Sequence, residues 1–301
     1  MKPLLLVCGW LLLCVVVAAL LTPWAYVAAQ SLAGAVPALE TLAHHKFHRF
    51  FNRTVMILAV AGIIPLGRVL GYRSLQSLGM TGSHRKGRFL VGFGSSILLL
   101  GLFAAGLLGW GHSVIDPKVD FLLFIKAAIG ATLVALLVAG VEEVFFRGFL
   151  YDIARKEMNV AIAMILISLF YSCVHFIKSP GDYAVGEVHW DSMLRLLPKY
   201  FSSAQSLDTV FFGGLNLLIA GLMLAWAYQH TGSLYLSMGI HAGWIWILKF
   251  NGKVTDWSPG YPEWLLGNGG DLTMSPAALL ILLIQWWALR SLTRQLIVLG
   301  P

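Results

Sequence analysis

The sequence predicts an all-α, polytopic membrane protein of about eight transmembrane helices. Three observations predict it. Of 301 residues, 58% are hydrophobic and only 12% are charged. Mean hydropathy is +0.78, far above that of water-soluble chains. Apolar runs of about 20 residues, long enough to cross a bilayer, recur from one end to the other. A pair of soluble domains is excluded. The formal charge of +7 is scattered over short loops, where Lys and Arg anchor helix ends against anionic headgroups, so membrane lipids and not nucleic acid are the expected partners. The cysteines Cys8, Cys14 and Cys173 are odd in number and lie in apolar runs, so neither a disulfide framework nor a CxxC metal knuckle is present.

The elements follow in order. The first span, 4–28, follows Met1-Lys2-Pro3 like a signal peptide. Its apolar core exceeds the usual ~7–15 residues and Ala28-Ala29 is a weak cleavage site, so a retained helix is expected. His44, His45 and His48 have helical metal spacing, but Lys46, Arg49, Arg53 and the phenylalanines around them make an interfacial amphipathic segment. The second span is 54–72 and the third 89–109. The fourth, 121–157, is too long for one crossing of a hydrocarbon core of roughly 30 Å. It should start in the interface and bend at Gly130 or Gly140. Asn159 is the expected turn into the fifth span, 159–177. The longest polar insertion, 178–206, carries Gly181, Asp182, Glu187, His189, Asp191 and Pro198, and has the composition of a loop that covers a site. Spans six and seven are 208–229 and 233–250. The eighth, 276–296, is a plain apolar run, read as scaffold. The organisation expected is N-terminal helices and interfacial segments over 1–120, a core over 121–250, and a C-terminal loop and last helix over 251–301. The cluster Arg85-Lys86-Arg88 places both termini on the cytoplasmic side.

The informative residues are polar ones at membrane depth, where ionisable groups are costly and mark function. Glu142 and Glu143 end the apolar run 121–140, with Arg147 close behind. Glu143 and Arg147 are four apart on one helix face and can pair; Glu142 points about 100° away from Glu143. A carboxylate so placed is suited to act as a general base. On the next span Tyr171 and His175 share a face, while Cys173 points away from His175, a poor geometry for a Cys–His nucleophile. Glu142 lies 17 residues before Asn159 and His175 lies 16 after it. In an antiparallel hairpin both sit roughly 24–25 Å from the turn. His241 is mid-helix between Gly239 and Gly243, a small-xxx-small pair that permits close helix approach. Asn216 on span six is read as interhelical glue or a site residue.

Glu142-Glu143-x-x-x-Arg147 on one membrane helix, Tyr171-x-x-x-His175 on the next, and His241 in a later small-residue helix together resemble the CPBP family (CAAX-processing and bacteriocin-processing, also called Abi) of intramembrane proteases. The resemblance covers about 121–250, and the helix layout resembles its type II CAAX prenyl endopeptidases. It implies that Glu142 activates the attacking water, that Glu143 and Arg147 complete the first motif, and that His175 and His241 are the histidines of the second and third. Tyr171 stands where the family usually has Phe. Ile245 stands where it often has Asn or Asp, and an apolar side chain cannot donate to an oxyanion. Such a donor must come from Asn216 or a backbone N–H. Tyr171 and Asn216 are therefore the candidate substrate-binding residues.

The expectation is an intramembrane endopeptidase of the bacterial inner membrane, acting on a membrane-associated or lipidated peptide without a cofactor. Two His and one Glu also match a catalytic zinc pattern, in which Glu142, His175 and His241 bind the metal and Glu143 is the base. The Glu143–Arg147 pair argues against that variant. The rival readings are a proton-coupled transporter, since buried Glu and His also serve proton relays, and a catalytically silent scaffold or immunity protein.

Overall fold

The computed structural model describes residues 2–36, 40, 42–176, 187–202, 207–267 and 271–298. The chain is helical almost throughout. Its helices are α1 (Lys2–Leu32), α2 (Phe47–Ala61), α3 (Ile63–Val69), α4 (Arg85–Gly109), α5 (Phe121–Glu143), α6 (Asp152–Glu157), α7 (Val160–Phe176), α8 (Ser192–Ser202), α9 (Leu207–Thr231), α10 (Leu234–Val254), α11 (Glu263–Leu266) and α12 (Pro276–Val298). A π-helical segment, Val144–Tyr151, joins α5 to α6. Two short strands, β1 (Ser113–Ile115) and β2 (Thr255–Trp257), pair antiparallel, with Val114 opposite Asp256.

Among the described residues, five helical stretches have the length and composition to cross a membrane: Lys2–Leu32, Phe47–Val69, Arg85–Gly109, Phe121–Glu157 and Phe211–Thr231. Val160–His175 and Pro276–Ser291 are shorter apolar helices. This is an integral membrane protein of all-α class. Helix α10 differs from the outer spans: Leu236 to Trp244 are buried without a break. It is a central helix, wrapped by its neighbours on all sides of that stretch.

Contacts divide the chain into two compact units, Met1–Arg73 with His175–Gln205, and Ser74–Val174 with Ser206–Pro301. This differs from the division into 1–120, 121–250 and 251–301, because part of the long insertion folds with the N-terminus. Gly181 and Asp182 lie outside the described residues. Residues 192–202, expected as loop, form α8, which places Met193 and Leu196 against Ala18 and Ala19 of α1. In the same unit Tyr26 meets the edges of Phe47 and Phe50, with ring centroids 5.4 and 5.2 Å apart. His45 faces Arg49 Nη1 at 3.3 Å and Arg53 Nη2 at 3.1 Å. Desolvation, then the charges of Arg53, Arg49 and His44, hold its pKa below the ordinary histidine value. Guanidinium groups against both ring nitrogens leave no room for a metal there.

The second unit is built on helix–helix contact through small residues. Asp120 caps α5, its side chain accepting from Leu123 N–H at 2.7 Å. Asn159 accepts from Ala161 N–H at 2.8 Å and starts α7, as the turn expected there requires. Helices α4 and α10 cross backbone to backbone. A Cβ on Gly92 would stand 2.5 Å from Leu236 O, and one on Gly239 would collide with the carbonyl of Phe89. One on Gly243 would stand 2.8 Å from Phe93 O. On α5, Ala135 and Ala139 pack against Ala242 of α10. The bend expected at Gly130 or Gly140 is instead the π segment, a few residues further on. Neither glycine meets a neighbour that a Cβ would touch within 4 Å. The π segment is buried from Phe145 through Tyr151, and Gly148 brings it against the carbonyl of Leu78. One extra residue per turn widens the helix there, a distortion concentrated at functional sites.

Candidate active site

The π segment begins immediately after the two glutamates. Glu143 ends α5 fully buried, at 0% exposure, and Arg147 inside the π segment is 1% exposed. Their four-residue spacing closes an ion pair, Arg147 Nη1 to Glu143 Oε1, at 3.0 Å. Arg147 Nη2 donates to the carbonyl of Gly221 on α9 at 3.3 Å. Its guanidinium also lies over the ring of Tyr171 on α7, 4.5 Å from the centroid. A charge this deep persists only when paired and hydrogen-bonded, and Arg147 has both supports.

His241 on α10 completes the cluster. Its Nδ1 stands 3.0 Å from Glu143 Oε1. A carboxylate oxygen accepts, so Nδ1 carries the proton and Nε2 presents a lone pair. That Nε2 faces Glu142 Oε2 at 3.8 Å. The Glu142 side chain retains 22% exposure where Glu143 has none. The two neighbours in sequence thus have different surroundings: Glu143 is tied to a cation and an imidazole, and Glu142 fronts the open side. The imidazole lies between two aromatic rings, Tyr171 edge-on and Trp244 tilted, each with its centroid 6.2 Å away.

Of the expected site residues, the structure brings together Glu142, Glu143, Arg147, Tyr171 and His241. His175 occupies the exposed C-terminal turn of α7, where the chain passes into the other compact unit. Asn216 is buried on α9, and its amide donates to the carbonyls of Thr273 at 3.0 Å and Ser275 at 2.8 Å. Both its N–H groups are thereby committed to holding the segment before α12. Ile245 packs with the Ala135–Ala139–Ala242 cluster, in keeping with its apolar side chain. Cys173 is exposed and unbridged. Trp244, which the sequence did not single out, is the residue that walls His241; its signal was an aromatic one helical turn beyond the histidine. Among the described residues no three His, Cys, Asp or Glu side chains gather to hold a metal ion. The donor set does not fit zinc as it stands, since Glu143 Oε1 is shared by Arg147 and His241.

A buried Glu–Arg–His cluster opening onto a second glutamate, inside a bundle of apolar helices, defines a membrane-embedded hydrolase of the glutamate–histidine kind. Residues 124–247 match the family described as Type II CAAX prenyl endopeptidase Rce1-like. The chain carries this family's domain, that of an intramembrane protease of the CAAX type, as the CPBP resemblance implies. All the clustered residues fall inside the matched segment. No curated protein and no solved structure matches the chain.

Proposed function

We propose that this protein hydrolyses a peptide bond in a membrane-associated or lipidated peptide, with Glu142 as the base that activates water. One observation carries the reading: His241 Nε2 and Glu142 Oε2 face each other at 3.8 Å. A single water can hydrogen-bond to both atoms at once. It gives one proton to each acceptor, which leaves an oxygen lone pair free for attack.

The sequence of events follows from the same atoms. Glu142 takes a proton as the water oxygen adds to the scissile carbonyl carbon. The tetrahedral intermediate then collapses, Glu142 returns the proton to the amide nitrogen, and the C–N bond breaks to give an acid and an amine. Glu143 holds the His241 tautomer, and Arg147 keeps Glu143 ionised. The role of His175 in stabilising or protonating the developing charges rests on its place in the aromatic-x-x-x-His motif. We place the protein in a bacterial inner membrane. The mechanism proposed is metal-free, supported by the sharing of Glu143 Oε1 between Arg147 and His241. Clustering of the polar groups, as opposed to a string across the bilayer, favours hydrolysis over proton-coupled transport.

The test is cleavage of a quenched reporter peptide, plain and prenylated, by purified protein in proteoliposomes. Glu142→Gln keeps the shape and removes the acceptor. It should abolish cleavage while leaving expression and thermal stability nearly unchanged. An active Glu142→Gln protein would overturn the assignment.

A further inference from the structure

The last helix was expected to be plain scaffold, yet Gln285 is the one amide in its apolar stretch and has 0% exposure. An indole N–H only donates, so the Gln285 amide oxygen must face Trp244: Trp244 Nε1 donates to Gln285 Oε1 at 2.7 Å. The amide nitrogen is then left for α4. It donates to Ser96 Oγ at 2.7 Å and to Ser95 Oγ at 3.1 Å. Ser96 Oγ in turn donates to the carbonyl of Ile240 at 2.9 Å. The network therefore grips the turn around His241 twice, at the backbone of the residue before it and at the indole three residues after it. Ser95, Ser96 and Gln285 all lie outside the matched segment 124–247.

We infer that Gln285 is a positioning residue for the reaction: it fixes the Trp244 indole, and through it the His241 imidazole, in line with Glu142. The inference rests on the proposed role of His241. Loss of the Gln285 amide frees the indole to turn, and the imidazole loses one of its two aromatic walls. In apolar surroundings such a network holds one arrangement because every member is satisfied.

The experiment compares Gln285→Leu, Trp244→Phe and their double variant with Trp246→Phe. Trp246 lies on the same helix, but its N–H donates to Thr132 at 3.0 Å, away from the network. Two readouts are taken on folded, purified protein: kcat and KM for the reporter peptide, and the rate at which diethyl pyrocarbonate modifies His241, followed by mass spectrometry. Gln285→Leu and Trp244→Phe should each lower kcat about tenfold with KM little changed, and the double variant should be no worse than either. Each should speed His241 modification several-fold, and Trp246→Phe should do neither. If Gln285→Leu fails to fold, Trp244→Phe decides alone, since it keeps a ring and removes only the N–H and part of the indole. His241 modification equal in Trp244→Phe and Trp246→Phe would overturn the inference. A wild-type protein that cleaves no reporter would defeat the protease reading, while the modification rates would still decide whether Gln285 and Trp244 hold the imidazole.

Discussion

Glu143 Oε1 stands 3.0 Å from His241 Nδ1, fully out of water and at the junction of α5 with the π segment. That bond makes Glu143 a partner of the imidazole, and it leaves Glu142 as the carboxylate free to meet a substrate water. Two residues adjacent in sequence are separated in role because one turns into the core and the other toward the opening.

Neutralising Glu143 should therefore behave differently from neutralising Glu142. Glu143→Gln leaves Arg147 buried without its counter-charge, and breaking such a pair costs about 3–5 kcal/mol. Thermal unfolding in detergent should show a large fall in midpoint for Glu143→Gln and almost none for Glu142→Gln. Equal midpoints would remove the distinction between the two carboxylates.

Arg147→Ala should be far more damaging than Arg155→Ala. The Arg147 side chain is 1% exposed, whereas that of Arg155 is 30% exposed in its pair with Asp152. Losing the exposed pair costs about 1 kcal/mol or less. Expression level and residual cleavage of the two variants, measured side by side, check the order.

Gly239→Ala drives a methyl into the Phe89 carbonyl, which is backbone and cannot move aside without shifting α4. The expected loss is about 1–3 kcal/mol, with cleavage reduced because His241 is two residues away. Gly140→Ala meets nothing and should change stability by no more than about 1 kcal/mol. A harmless Gly239→Ala would argue that α4 and α10 do not cross so closely.

Chelation separates the two forms of the chemistry. Purified protein treated with EDTA and phenanthroline should keep its full cleavage rate, and elemental analysis should find less than stoichiometric zinc. Loss of activity restored by added zinc would replace the metal-free mechanism. Cys173→Ala, at an exposed thiol, should retain most activity in the same assay.

Much of this arrangement was legible from residue spacing. The pairing of Glu143 with Arg147 follows from a four-residue interval, and the tight α4–α10 crossing from Gly239 and Gly243. The turn at Asn159 follows from its capping side chain. Other features had no local signal. The π segment contains good helix formers and no proline, so its extra residue is a result of packing around Gly148 and Leu78. Which ring nitrogen of His241 meets which glutamate depends on the rotation of α10 against α5, which periodicity does not encode. Gln285 was hidden for another reason: a single amide hardly lowers the hydropathy of a run, and its partners Ser96 and Trp244 are 189 and 41 residues away.

The widened turn over Val144–Tyr151 carries a consequence for insertions and deletions. A π segment accommodates one residue more than an α-helix of the same rise. Deleting one residue between Gly148 and Tyr151 would let the coil rewind as regular α-helix, and everything after it would swing by about 100° around the axis. Asp152 and Arg155 would leave Tyr228 and Gln229, which they now meet on α9, although Glu143 and Arg147 would keep their interval. Point substitutions over Phe149–Tyr151 should thus be milder than the loss of any one of these residues, so that for this stretch of chain length matters more than identity.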